Sequence, residues 1–305
     1  MNEYRRCRVA RIASILGVTA LLIPAIAGAQ AARFESPVVS SQWLADHLND
    51  PNVVVLHLAN IRRDYTSGHV PGARFLWFND VAPSNPDLNT ELPSVAKLDS
   101  LFESLGVSDN SRVVIYGQTM SPVVARVFMT LDYLGAGDRA ALLDGGLAAW
   151  KAEGHPVSTD TPGPAKRGKF TPHVRADAVV NAEFVKANID KPGIRILDAR
   201  TPNFYSGEGG GGPRPGHVTS AQNIPFTTLT DSTGRMKDRD AIRALFSAAG
   251  VQSGDRVVTY CHVGQQASLL FLAARYVGIT PSLYDGSFED WSSRDDTPIV
   301  GPVKK

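Results

Sequence analysis

Of the two cysteines in this 305-residue chain, Cys261 is the one placed to act as a nucleophile. It lies in Tyr260-Cys261-His262-Val263-Gly264-Gln265-Gln266-Ala267-Ser268, directly after the β-branched run Val257–Tyr260. A stretch from about Gln266 to Val277 follows that is apolar nearly all round. These patterns read as a buried strand and a buried helix. In a parallel α/β sheet, ligands bind off the C-terminal ends of the strands, where this turn falls. A tight turn entering a helix directs backbone N–H groups inward and adds the positive end of the helix dipole. That setting is expected to lower the thiol pKa and to favour a thiolate, a persulfide or a bound oxyanion. Gly264 gives a ring-shaped loop the backbone freedom it needs.

Other residues qualify as candidates on weaker grounds. A protonated His262 would help hold an anion beside Cys261, or its ring points outward. Arg200 either approaches the loop or pairs with Asp198 in Asp198-Ala199-Arg200. Arg214, after the run Gly209–Gly212, is read as a solvated loop arginine, with a cation folded over the cleft as the alternative. His69 and His217 occupy matching turns in two halves of the chain, which argues for a structural role with a ring N–H bonded to backbone. No metal is expected, because Cys261 and His262 have no further ligands at suitable spacing. A Cys-x5-Arg phosphatase loop is excluded, since Ala267 stands where the arginine belongs. Gly117-Gln118-Thr119-Met120-Ser121 does not supply a serine-hydrolase G-x-S-x-G turn.

An internal repeat positions the loop. Leu105-Gly106-Val107 with Ser111–Tyr116 reappears as Ala249-Gly250-Val251 with Asp255–Tyr260. Leu143-Asp144-Gly145-Gly146 with Trp150 reappears as Tyr284-Asp285-Gly286-Ser287 with Trp291, and Gly68-His69-Val70 as Gly216-His217-Val218. The order is the same in both halves, as duplication requires. Short apolar runs at Val53–Leu58, Val113–Tyr116, Ile194–Leu197 and Val257–Tyr260 read as buried strands. Leu98–Leu105 and Ile242–Ala249 read as amphipathic helices ending at Gly106 and Gly250. Alternating strands and helices imply α/β domains with mostly parallel sheets. The expected domains span residues 38–155 and 174–301, joined by a Pro/Gly/Thr/Lys-rich linker at 156–173.

Residues 1–29 read as a signal peptide. Arg5, Arg6, Arg8 and Arg11 precede an apolar run from Ile12 to Ile26, and Ala27-Gly28-Ala29 offers a cleavage site. Cleavage predicts a periplasmic or secreted protein, free of the membrane; an uncleaved anchor is the alternative. Cys7 would leave with the segment, so Cys261 has no disulfide partner, and thioredoxin-like chemistry lacks its second cysteine. A formal net charge of +1 gives no reason to expect nucleic acid as a partner.

Over about residues 37 to 300 the chain resembles a tandem-domain rhodanese of the thiosulfate/3-mercaptopyruvate sulfurtransferase family, in an exported bacterial form. Tyr65-Thr66-Ser67-Gly68-His69-Val70-Pro71-Gly72-Ala73, Asp285-Gly286-Ser287-Phe288-Glu289-Asp290-Trp291 and the six-residue loop starting at Cys261 carry the likeness. The resemblance implies two rhodanese-like domains, each a mostly parallel five-stranded sheet flanked by helices. It implies that Cys261 takes sulfane sulfur from a small donor as a persulfide and passes it to a thiol or cyanide acceptor. His262, Val263, Gly264, Gln265, Gln266 and Arg200 would line the substrate site, with no cofactor, in a monomer. Gly117 occupies the cysteine position of the first half, which would therefore be inactive. Thiosulfate-specific members carry cations in the loop and often an arginine where Phe204 stands, and a mercaptopyruvate-type loop reads Cys-Gly-Ser-Gly-Val. This loop matches neither, so the subclass stays open and thiosulfate is expected to bind poorly. The alternative is an exported, non-enzymatic sulfur carrier or redox-sensing module serving a protein partner.

Overall fold

The computed structural model describes Met1 and residues 33–160 and 162–301. Residues 2–29 of the proposed signal peptide, Cys7 among them, lie outside the described residues. The first half holds strands β1 (Val38–Val39), β2 (Val53–Ala59), β3 (Arg74–Trp77), β4 (Arg112–Tyr116) and β5 (Ala140–Leu143). Its helices are α1 (Ser41–His47), α2 (Arg62–Thr66), α3 (Phe78–Val81), α4 (Val95–Ser104), α5 (Pro122–Tyr133) and α6 (Gly146–Ala152). The second half holds β6 (Val179–Val180), β7 (Ile194–Asp198), β8 (His217–Val218), β9 (Gln222–Asn223), β10 (Arg256–Tyr260), β11 (Thr280–Tyr284) and β12 (Ile299–Val300). Its helices are α7 (Ala182–Ala187), α8 (Pro202–Ser206), α9 (Arg239–Ala248), α10 (Gln265–Tyr276) and α11 (Ser287–Ser293).

Each half is a five-stranded sheet, ordered β1-β5-β4-β2-β3 and β6-β11-β10-β7-β9. Every pairing within the two sheets is parallel, while β8 and β12 form a separate antiparallel pair. The fold is thus α/β with helices covering the sheets, as expected. Helix starts follow side-chain capping: Ser40, Ser94, Asn181 and Asp238 accept from backbone N–H groups of the first turns of α1, α4, α7 and α9. Gly106 and Gly250 adopt φ of +77° and +76° just beyond α4 and α9, the left-handed close expected of them.

Duplication reaches the level of single hydrogen bonds. The Tyr116 hydroxyl accepts from Val70 N at 2.9 Å, and Tyr260 from Val218 N at 3.1 Å. Trp150 and Trp291 donate their indole N–H to the carbonyls of Pro156 and Pro298. His69 Nδ1 meets the Tyr65 carbonyl at 3.0 Å and His217 Nδ1 that of Tyr205 at 2.8 Å, each ring stacked on that tyrosine. The structural role expected of both histidines is the one they fill. Ser158, within the stretch assigned as linker, exchanges two backbone hydrogen bonds with His69, and Phe170 is buried. That stretch lies along the first half rather than free in solvent.

The two halves meet through α5 and α10, both buried along most of their length. One apolar cluster runs through the contact, including Phe128 and Leu131 from α5 and Leu270 and Phe271 from α10. An interface this apolar resembles a domain interior. Each large side chain buried there contributes about 1.5–3 kcal/mol.

Candidate active site

Cys261 directly follows β10, and α10 begins at Gln265, so the loop is four residues long with its last part drawn into the helix. Gly264 is the helix N-cap at φ +81°. A side chain there would be strained, and its Cβ would lie 2.9 Å from Arg126 Nη1 and 3.1 Å from the Asp285 carbonyl. The backbone amides of Ala267, Val263 and Gln266 act on the Cys261 thiol in the sense that favours its thiolate. This is the amide cradle that a strand-to-helix turn builds.

α11 straps the outer side of the loop. Phe288 N donates to the Cys261 carbonyl and Glu289 N to the His262 carbonyl, both at 3.0 Å. The Ser287 hydroxyl accepts from Cys261 N at 3.2 Å and donates to the Tyr284 carbonyl at 2.9 Å. Ser287 holds φ +52°, a left-handed backbone that non-glycine residues adopt at a cost. In the first half, Leu147 N and Ala148 N strap the carbonyls of Gly117 and Gln118 in the same way. A Cβ on Gly117 would lie 2.9 Å from Val124 Cγ2, so that loop has no room for a thiol side chain as it stands.

The electrostatics correct one expectation. Cys261 is fully buried, and that burial pushes its thiol pKa up. The amides of Ala267, Val263 and Gln266 pull it down, while nearby Asp198 adds to the rise. Desolvation outweighs the cradle in the resting protein, a balance the sequence did not reveal. His262 is pushed down, first by burial and then by the charge of Arg200, which leaves the imidazole neutral at neutral pH. Its ring meets Phe204 edge-on at 4.6 Å, and a Cβ on Gly211 would lie 2.9 Å from it. The Gly209–Gly212 run therefore packs on the Phe204–His262 pair.

Val263 and Gln265 are half-buried, as is Gln266, whose Oε1 is buried without a partner among the described residues. Arg200 forms the ion pair with Asp198: Nε donates to both carboxylate oxygens at 3.0 Å and Nη2 to Oδ2 at 2.6 Å. Nη2 also donates to the Gly216 carbonyl, and the guanidinium stands over the Phe288 ring at 4.0 Å. Nη1 is buried and has no partner among the described residues. Arg214 is neither solvated nor over the cleft. Its guanidinium binds the carbonyls of Trp291, Ser292, Arg294 and Thr297, closing the C-terminal end of α11.

Sequence reasoning missed four contributors: Ser287, Asp285, Arg126 and Thr90. The Thr90 hydroxyl donates to the Val263 carbonyl, and Arg126 pairs with Asp285 beside Gly264. Asp285 and Ser287 lay inside a repeated motif whose contacts had no signal. Arg126 interrupts an apolar helix where the second copy has Leu269, and comparing the copies position by position would have exposed it. Asp285 also lines a groove of about 810 Å³ between Glu91–Val95 and the β6 edge with the end of β11, to which Cys261 does not contribute.

The rhodanese-like domain family matches residues 40–153 and 181–294. The chain belongs to that family, as two copies in tandem. It is 29% identical to a sulfur carrier protein of Thermus thermophilus, over 86% of this chain and 96% of that one. It is 28% identical to a thiosulfate sulfurtransferase of Azotobacter vinelandii, with the same coverage. A solved 3-mercaptopyruvate sulfotransferase of Escherichia coli superposes with a TM-score of 0.74 at 25% identity, covering 83% of this rhodanese-like chain and 98% of that one.

Proposed function

We propose that this rhodanese-like protein is a sulfurtransferase that carries sulfane sulfur on Cys261 as a persulfide. The observation that carries the reading is a fully buried thiol set between the end of β10 and the start of α10, where the backbone amides of Ala267, Val263 and Gln266 pull its pKa down against burial. The Cys261 thiolate attacks the terminal sulfur of a donor such as thiosulfate or a thiol persulfide. The donor's S–S bond breaks, and the leaving group, sulfite or a thiolate, departs with the electron pair. The amides of Val263, Gln266 and Ala267 then hold the anionic outer sulfur. A thiol or cyanide acceptor attacks that sulfur, and the Cys261 thiolate leaves. Burial that raises the thiol pKa makes the first step faster as pH rises, because the thiolate fraction grows.

His262, Val263, Gly264, Gln265 and Gln266 form the walls of the pocket in this reading, and Arg200 adds a charge that reaches His262 in that wall. With Val263 in the loop and His262 neutral, no free cation greets a dianion, so thiosulfate is a weak donor. The basic and apolar N-terminal segment supports action after export. The first half, with Gly117 at the cysteine position, transfers no sulfur itself.

Cys261→Ser tests the proposal. The variant is expected to melt like the native protein and to gain no mass of an added sulfur atom after exposure to donor. Continued turnover by it overturns the assignment. A carrier that loads only from a protein partner is the second reading, favoured by the uncharged loop and the likeness to a sulfur carrier. Turnover of thiosulfate or a small persulfide with cyanide excludes it.

A further inference from the structure

The first half has no thiol at its loop, yet it grips the loop of the second. The Thr90 hydroxyl donates to the Val263 carbonyl, so the residue next but one to Cys261 is held from the other domain. Thr90 has φ +57°, and a β-branched residue in the left-handed region is an outlier held there by its surroundings. What holds it is Arg126 on α5. One Nη of this fully buried guanidinium donates to the Thr90 carbonyl at 2.6 Å, and the other to Asp285 Oδ1. Leu92 N donates to Asp285 Oδ2 at 3.0 Å. The ion pair lies against Gly264, where an added Cβ would come within 3.0 Å of Arg126 Nη1 and of Asp285 Oδ1.

The duplication makes this arginine anomalous. Arg126 stands nine residues before Gly135, and Leu269 stands nine before Gly278, each on the central buried helix of its half. At that position in the second copy a leucine fills the core, 2% exposed. Burying an ion pair carries a desolvation cost that often matches or exceeds its attraction, so an apolar residue would serve stability as well. Arg126 even keeps Nε buried without a partner among the described residues. What a leucine cannot do is bind Thr90 and Asp285 together on either side of the Val263–Gly264 peptide.

We propose that Arg126 is a positioning residue for sulfur transfer, reaching from the cysteine-less domain to fix Val263 and Gly264 and with them the amide cradle of Cys261. This deepens the function proposed above and rests on it. The first domain is then part of the working site, although it touches no substrate.

The test uses the full chain with Arg126→Leu, Arg126→Lys and the double variant Arg126→Leu with Asp285→Asn, which removes the Asp285 charge that Arg126→Leu alone would leave without its cation. Two readouts separate positioning from mere stability: the pH midpoint of Cys261 alkylation by iodoacetamide, and kcat against KM for persulfide loading from thiosulfate or glutathione persulfide. A loosened cradle raises the alkylation midpoint by about half a unit or more and lowers kcat by about tenfold, with KM changed less than about twofold. Arg126→Lys falls between Arg126→Leu and the native protein. The double variant recovers the melting temperature but neither readout. A double variant with native melting, native midpoint and native kcat overturns the proposal. A native protein that loads no persulfide refutes the sulfurtransferase reading instead, and the alkylation midpoints still decide the role of Arg126.

Discussion

Glu91→Gln probes the charge balance around the Arg126–Asp285 pair. Glu91 comes from the first domain and faces Asp285, with Asp290 and Glu289 close by and Arg126 as the opposing cation. Its Oε1 is buried without a hydrogen-bond partner among the described residues. At the equivalent contact in the other direction, Met236 N meets Asp144, and the residue preceding it is Arg235, which pairs with Asp144 at 3.7 Å. One side of the pseudo-symmetric interface thus sets a guanidinium against a carboxylate, and the other sets two carboxylates together. Burial first, and the charge of Asp285 second, push the Glu91 carboxyl from its ordinary 4.5 up to about 7. Between those values the folded protein keeps a proton that the unfolded chain has released. Stability therefore falls as pH rises from about 4.5 to about 7 and stays at its lower level above that.

The gap corresponds to about 3 kcal/mol, and solvent around this half-buried group reduces it to about 1–2 kcal/mol. Glutamine removes the charge and keeps the shape. At pH 8.5 Glu91→Gln is expected to be more stable than the native protein by about 1–2 kcal/mol, or about 2–6 °C in Tm. At pH 4.5 that advantage vanishes. Urea or thermal melts of both proteins at the two pH values measure the difference, and any pH-independent packing effect cancels between them. An equal stability difference at both pH values refutes the like-charge argument.

Gly264→Ala places a side chain where φ is +81° and where Arg126 and Asp285 leave no space. It is expected to cost about 1–3 kcal/mol in urea melts and to slow persulfide loading at Cys261 sharply; native stability in this variant would contradict the tight fit. Val263→Lys supplies the cation the loop lacks. It is expected to lower the KM for thiosulfate by about tenfold, and an unchanged or raised KM counts against the charge argument. Together with Cys261→Ser and the Arg126 variants, these changes separate the nucleophile, the cradle, the pocket charge and the support from the first domain.

Much of the architecture was legible because it is encoded locally. β-branched runs marked β2, β4, β7 and β10, and Gly106 and Gly250 marked where α4 and α9 end. Two matching sets of motifs revealed the duplication. The placement of Cys261 between a strand and a helix followed from the same periodicities. Arginines were the least legible residues. Arg200, Arg214 and Arg126 look alike in sequence, yet one closes an ion pair with Asp198, one binds the end of α11 and one crosses between domains. A long flexible cation finds its partner through packing, and its neighbours in the chain do not name that partner.

The sequence by itself determined that two copies of one α/β unit exist, that one copy carries a thiol at a strand-to-helix turn, and that the turn is free of lysine and arginine. Only the tertiary structure decided how that thiol is poised. The assembled fold buries Cys261 fully and raises its pKa, where local reasoning about the turn predicted the opposite. The meeting of the two halves brings Thr90 and Arg126 to Val263 and Asp285, across 173 and 159 residues of chain. The reason is physical: an amide cradle is a property of a few consecutive residues, whereas desolvation and support from a distant helix depend on what the rest of the chain presses against them.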